Sequence, residues 1–313
     1  MTQAVRTLMS GLIDYAGLFP PAKLDMAPAA EAFARARAGV HEWVLGRFIC
    51  PASRLGELSR AAAALMPGTF ATSGYREHAG NSEPWHVSVI VDGLPALDAA
   101  LAAMDEFNAR HAEEDRGLAV ADALEMKVST ADEIDAAIEA VPDEVYPFFE
   151  VPIAGDCRGL VAALSGTAAA AKVRTGGVTV EAFPAPERVA AFLAACAAAD
   201  VPFKATAGLH HPVRGDYPLT YEPGCPRGTM HGFVNVFIAA ALVRARRADE
   251  TEAAAIVGER DPGAFKFTDE GVRWRGRFLE SAELARVREA FALSYGSCSF
   301  DEPIDDVKKL GLL

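Results

Sequence analysis

Two lysines stand where short apolar runs meet small-residue turns. Lys172 lies in Ala170-Ala171-Lys172-Val173-Arg174-Thr175-Gly176-Gly177, and Lys204 in Pro202-Phe203-Lys204-Ala205-Thr206-Ala207-Gly208. Between them Glu187 to Cys196 has the composition and period of an amphipathic helix. The order implied is strand, loop, helix, strand, with a lysine at the outgoing end of each strand. In parallel α/β proteins such ends form the active-site face. An amine held there, partly desolvated and beside another cation, becomes less basic and attacks carbonyl carbon. The chemistry expected is Schiff-base formation. Lys172 is the candidate nucleophile, with Lys204 and Arg174 as the charges that keep part of its amine free near neutral pH. Two ordinary surface lysines would show the same spacing.

Acids accompany the lysines. Glu125 is a candidate for moving protons at the iminium and enamine stages, directly or through a water; its structural alternative is an ion pair with Lys127 or Lys172. Asp14 and Glu150 fall on strands whose inward positions are otherwise apolar, so they either bind a substrate hydroxyl or hold the lysines charged. For Glu150 the buried ion pair is preferred. His210, His211 and His231 form a separate set. With Glu150 or Asp14 opposite they have the donor types of a divalent-metal site, but not the spacing of two histidines on one helix. Hydrogen bonds to loop carbonyls or to substrate are the simpler expectation, so neither a metal nor a cofactor is assigned. Cys50 reads as a packed small hydrophobe. His41, His78, His86 and His111 read as solvent or packing residues. No nucleotide-binding glycine motif is present.

The elements that must position these groups alternate. Strands are expected over Leu8 to Tyr15, Trp43 to Cys50, His86 to Val91, Ala123 to Val128, Tyr146 to Val151, Ala170 to Arg174, Pro202 to Ala205 and Met230 to Val236, with alanine-rich helical segments between them. Eight such units predict an α/β fold, a (β/α)8 TIM barrel, over residues 1–250. Residues 251–313 change pattern. Two short strands around Asp269-Glu270-Gly271 and a helix over Glu280 to Phe291 predict a C-terminal α+β extension packed on the barrel, too small for its own core. The long Pro- and Gly-containing segment His210 to Thr229 reads as a lid over the mouth.

Composition sets the outer limits. A chain of 313 residues with 51% hydrophobic and 23% charged residues can fill a large core. A formal net charge of −13 argues against nucleic acid as a partner. Five scattered cysteines without a C-x-x-C pair fit a reducing compartment. The N-terminus lacks a signal-peptide apolar core, and the apolar run Phe233 to Val243 contains Asn235 and is too short for a bilayer. A cytoplasmic protein with a small-molecule carbonyl substrate and no membrane partner is the expectation, with homo-oligomerisation left open.

Six fragments in chain order resemble the deoxyribose-phosphate aldolase family, class I aldolases on a (β/α)8 barrel. Leu12-Ile13-Asp14-Tyr15-Ala16-Gly17-Leu18-Phe19-Pro20 is similar to its opening strand, and Phe48-Ile49-Cys50-Pro51 to its second. Leu124-Glu125-Met126 stands where the family has Ile-Asp-Met, whose aspartate assists proton transfer, and Phe149-Glu150-Val151 resembles Leu-Glu-Thr. Lys172-Val173-Arg174-Thr175-Gly176 is similar to Lys-Thr-Ser-Thr-Gly, the Schiff-base motif. Phe203-Lys204-Ala205-Thr206-Ala207-Gly208 is similar to the second-lysine motif. The resemblance covers roughly the first two-thirds of the chain and implies an aldolase-type carbon–carbon lyase that uses Lys172, Lys204 and Glu125. It departs at Glu125, at Arg174 and in the loops Leu209-His210-His211-Pro212-Val213-Arg214 and Thr229-Met230-His231-Gly232-Phe233, which offer no run of free backbone N–H donors where the family grips phosphate with glycine- and serine-rich loops. A small hydroxylated carbonyl compound other than a phosphate ester is therefore expected as substrate. A metal-dependent lyase or hydrolase using the loop histidines, and a non-catalytic ligand-binding barrel, are the alternatives.

Overall fold

The computed structural model describes residues 1–69, 72, 83–113 and 115–313. Its first seven barrel strands follow the alternation in the sequence: β1 (Ile13–Tyr15), β2 (Leu45–Pro51), β3 (Trp85–Val91), β4 (Ala119–Lys127), β5 (Tyr146–Glu150), β6 (Ala170–Arg174) and β7 (Phe203–Thr206). Next, β8 (Gly215–Pro218) and β9 (Arg227–Met230) pair as an antiparallel hairpin. A three-stranded antiparallel sheet follows, made of β10 (Phe265–Phe267), β11 (Gly271–Trp274) and β12 (Arg277–Glu280). Finally β13 (Ala292–Ser297) lies between β1 and β7 and closes the parallel barrel in the order β1-β13-β7-β6-β5-β4-β3-β2. The fold is a (β/α)8 barrel.

Local sequence explains the connecting helices. Thr130 and Glu133 form a reciprocal capping box ahead of the helix Ala131–Ala140, and Pro186 occupies the first turn of Pro186–Ala199. Between helix and barrel, Phe203 of β7 packs against Phe192, Phe237 and Phe291, with ring centroids 5.9, 5.9 and 5.4 Å away. Aromatic contacts of this kind fix the strand's outer face and leave its inner face to the site.

The eighth strand is not where the apolar run places it. Met230 ends the hairpin, and Phe233–Arg244 is a helix whose residues from Phe233 to Leu242 are all buried. A helix apolar on every side shows no amphipathic period, and a short buried strand shows none either, so such a run is ambiguous in sequence. The strand that does close the barrel, Ala-Leu-Ser-Tyr-Gly-Ser, is only weakly apolar. Residues 1–250 therefore do not complete the barrel: Ala292–Ser297 closes it, and the antiparallel sheet of β10, β11 and β12 is the C-terminal extension outside it. Arg288, buried in the helix Ser281–Ala290, secures the closure. It donates to the carbonyls of Leu8, Ser10 and Leu293 at 2.9, 2.9 and 2.6 Å, and also to that of Ala292. One guanidinium thus ties the approaches of the first and last barrel strands together.

Register places the site. Lys127, Glu150, Lys172, Lys204 and Ser294 are successive partners across β4, β5, β6, β7 and β13. Side chains two residues apart on a strand share a face, so Glu125 and Lys127, Lys172 and Arg174, and Lys204 and Thr206 form inward-facing pairs.

Candidate active site

Inside the barrel the lysines and acids form one chain of contacts. Lys204 Nζ lies 2.5 Å from Asp14 Oδ2 and 2.6 Å from Glu125 Oε1; Lys172 Nζ lies 2.8 Å from Glu125 Oε2 and 2.9 Å from Glu150 Oε2. Arg174 Nε then reaches Glu150 Oε1 at 3.0 Å. Three cations alternate with three carboxylates, which is how a barrel interior tolerates charges that would be costly alone. The cluster is further pinned by neutral donors. Ser88 Oγ donates to Glu125 Oε1 at 2.7 Å, Ser294 Oγ to Asp14 Oδ2 at 2.8 Å, and the Arg47 backbone N–H to Asp14 Oδ1 at 2.7 Å.

The two lysines differ in access. Lys172, Glu125, Glu150 and Arg174 line a cavity of about 550 Å³ at the outgoing ends of the strands, together with Lys127, Asp92, Thr206, His210, Gly296 and Cys298. Lys204 and Asp14 do not line it, and Lys204 is 0% exposed with the Phe148 ring 5.1 Å from its ammonium. Of these two lysines, Lys172 is thus the one a small molecule in the cavity can touch. Lys204 is a charge beneath it.

Electrostatics correct one expectation. Burial by itself pushes the Lys172 ammonium toward the neutral amine, but Glu125 and Glu150 outweigh it and raise its pKa above the ordinary lysine value. The nearby cations do not prevail, because two carboxylates lie within 2.9 Å of the nitrogen. Resting Lys172 is an ammonium. Glu150 is likewise opposed by burial, yet Lys172 and Arg174 bring it below the usual carboxylate range, and Glu125 is lowered in the same way by Lys172 and Lys204. Both acids are ionised and available as proton acceptors.

The histidines separate. His210 lines the main cavity and also a smaller one of about 250 Å³; His211 lines only the smaller one. His211 Nδ1 lies 2.6 Å from Asp306 Oδ2, and its ring stacks on Tyr217 with centroids 3.5 Å apart. His231 is 1% exposed, lines neither cavity and contacts the Pro184 carbonyl through Nε2 at 2.7 Å. Burial lowers its pKa to about 4, so it is a neutral packing residue. The three rings do not converge, and among the described residues no group of three His, Cys, Asp or Glu side chains has metal-holding geometry. His211 and His231 accordingly leave the set of candidate contacts to a molecule in the main cavity. Of the other histidines, His86 pairs with Asp122 at 2.7 Å and His111 is buried between Ser59 and the Gly117 carbonyl, whereas His78 lies outside the described residues.

Other residues of the site carried no signal in the sequence. Gly46 is required because a Cβ there would sit 2.2 Å from Asp14 Oδ1. Ser88 and Ser294 look like ordinary strand serines until the barrel closes around the carboxylates. The segment after β7 is not a lid over Lys172. Of residues 210–229 only His210 borders the main cavity, and Pro218, Leu219, Thr220, Tyr221 and Glu222 wall the smaller one. The true eighth strand ends in Gly296-Ser297 and runs into Cys298-Ser299, with Gly296 and Cys298 on the cavity. Thr229 to Phe233 does not follow the closing strand, so its composition says nothing against a phosphate ester.

Among the described residues, no helix is long and apolar enough to cross a membrane. No family model, no curated protein and no solved structure matches the chain.

Proposed function

We propose that the protein is an aldolase-type carbon–carbon lyase that forms a Schiff base through Lys172 with a small hydroxylated carbonyl compound. The observation that carries this reading is that Lys172 alone of the two paired lysines reaches the cavity, with ionised Glu125 and Glu150 against its nitrogen. The ammonium must first give up a proton, and either carboxylate is placed to accept it as a carbonyl displaces the ion pair. The free amine attacks the carbonyl carbon, and the carbinolamine loses water with the proton the carboxylate had accepted. In cleavage the hydroxyl next to the breaking bond gives its proton to a base in the cavity and becomes the released carbonyl, the C–C pair becomes the enamine C=C, and the C=N pair moves onto nitrogen. Lys204 lies below against Glu125 and helps lower its pKa, and Asp14 pairs with Lys204. The resemblance of the strand ends to class I aldolases supports the same assignment.

Borohydride trapping tests the reading. The protein is incubated with acetaldehyde, acetone and hydroxyacetone in turn, reduced, digested and mapped by mass. An adduct on Lys172, absent in Lys172→Met, is expected; an adduct on Lys204 alone, or no adduct with any carbonyl, would reject it.

A further inference from the structure

The Schiff-base apparatus lies on β4 to β7, but the cavity has a second polar wall that this chemistry leaves unused. His210 follows β7, and its Nδ1 faces Glu302 Oε2 at 3.3 Å and Cys298 Sγ at 3.9 Å. Tyr221 of the hairpin donates to the same Glu302 Oε2 at 3.0 Å and lies 3.5 Å from Cys298 Sγ. Glu302 comes from the helix Asp301–Lys309, beyond the closing strand, so three distant segments converge on one ring. With Nδ1 committed to Glu302, Nε2 has no protein partner among the described residues, and His210 borders the cavity that Lys172 borders. The ring is 7% exposed. Burial favours its neutral form, but Cys298 and Glu302 hold it protonated and raise its pKa to about 10.

Making or breaking a C–C bond next to a hydroxyl needs a proton at that oxygen as well as an electron sink. Glu125 and Glu150 are ionised at rest, and a proton that either accepts serves the nitrogen side of the reaction, where both face Lys172. Arg174 carries N–H groups but no proton it can release. Lys127 stands exposed at the end of β4. His210 is the buried cavity group with both an N–H and a proton to transfer.

We propose that His210 is a catalytic acid–base group for the reacting oxygen of the substrate, and that Glu302 and Tyr221 are its positioning residues. The proposal rests on the Schiff-base reading of Lys172. In the condensation direction, the enamine C=C pair forms the new bond to the acceptor aldehyde carbon while the nitrogen lone pair restores the iminium C=N. The aldehyde C=O π pair moves onto oxygen, which takes the proton from His210 Nε2. In cleavage the neutral ring takes the hydroxyl proton back as the same electron pairs return.

The test separates the two halves of the reaction in the full-length protein. Acetone is followed by borohydride trapping on Lys172 and by hydrogen–deuterium exchange of its methyl groups in D2O, both of which need only the lysine side. Condensation of acetone with 4-nitrobenzaldehyde is followed by loss of the aldehyde. In His210→Leu, trapping and exchange should stay within about threefold while condensation falls by about 100-fold or more. His210→Gln, which keeps an N–H but no transferable proton, should recover only part of the loss. Glu302→Gln and Tyr221→Phe should lower condensation by about tenfold and leave exchange unchanged. Unchanged condensation in His210→Leu would overturn the proposal, as would exchange and condensation falling together. Absence of trapping and exchange in the unaltered protein would instead reject the Lys172 reading, and this proposal with it.

Discussion

Lys172 and Lys204 are register partners on adjacent strands and divide one carboxylate between them, with Glu125 Oε2 2.8 Å from the first nitrogen and Oε1 2.6 Å from the second. Two ammonium groups side by side in a barrel interior repel each other, and the shared acid turns that repulsion into a chain of alternating charge. The partners on either side differ. Asp14, sealed below, completes Lys204; Glu150, at the cavity, completes Lys172. Equal in type and register, the two lysines are therefore unequal in role.

Lys204→Met should be the more damaging of the two lysine deletions for stability. It leaves Asp14 and Glu125 without a cation at a site closed to solvent, a change that costs about 3–5 kcal/mol. Lys172→Met should cost less, since Arg174 stays on Glu150 and Lys204 on Glu125, yet abolish carbonyl trapping. Urea unfolding of both variants checks the order; the reverse order would show that Lys204 is not the structural member of the pair.

Carbonyl trapping on Lys172 should accelerate as pH rises. Its pKa is raised by the two carboxylates, so below that value the free-amine fraction grows about tenfold per pH unit. Glu150→Gln removes one of them, lowers the pKa and should move the trapping profile to lower pH. The profile is read from the rate of borohydride-trapped adduct between pH 7 and pH 10. An unmoved profile would mean that Glu150 does not hold the proton.

Gly46→Ala should destabilise by about 1–3 kcal/mol, as overpacking does, because its Cβ would displace Asp14 from the Arg47 N–H and from Lys204. Gly155→Ala is the control, since nothing lies within 4 Å of its Cβ. Thermal melts of the two variants give the comparison. Equal midpoints would show that Asp14 moves aside without loss.

His231 should make stability depend on pH over a separate window. Its folded pKa of about 4 lies below the ordinary histidine value of 6.5, so the unfolded chain binds the extra proton and stability falls as pH falls from 6.5 towards 4. Between pH 7 and pH 5 its share is about 2 kcal/mol. Carboxylates with lowered pKa, Glu150 among them, act at lower pH, through and below their ordinary range. His231→Gln cannot titrate, so urea unfolding at pH 7 and pH 5 should show a smaller loss in the variant than in the unaltered chain. Equal losses would assign the window to other groups.

Much of the frame was legible because periodicity is a local property. Strands β2 to β7 start and end within a few residues of the apolar runs, and the small-residue turns after Lys172 and Lys204 mark outgoing strand ends. That Asp14, Glu125, Glu150, Lys172 and Lys204 fall on such strands follows from the same alternation, and the structure brings all five together. The closing strand was not legible. Ser294 and Gly296 dilute its apolar character, and the longer apolar run nearby belongs to a helix buried on every side.

What the sequence alone determined was a set of acids and lysines at strand ends of an alternating α/β chain. Tertiary structure decided which lysine is reachable, that Lys172 rests as an ammonium, and that His210 stands at the cavity while His211 and His231 turn elsewhere. It also decided that Gly46, Ser88, Ser294 and Glu302 belong to the site. The physical reason is common to all of these. Charge state and access depend on which groups approach within about 3 Å and on how much water is excluded. In a barrel those neighbours come from strands and helices far apart in the chain.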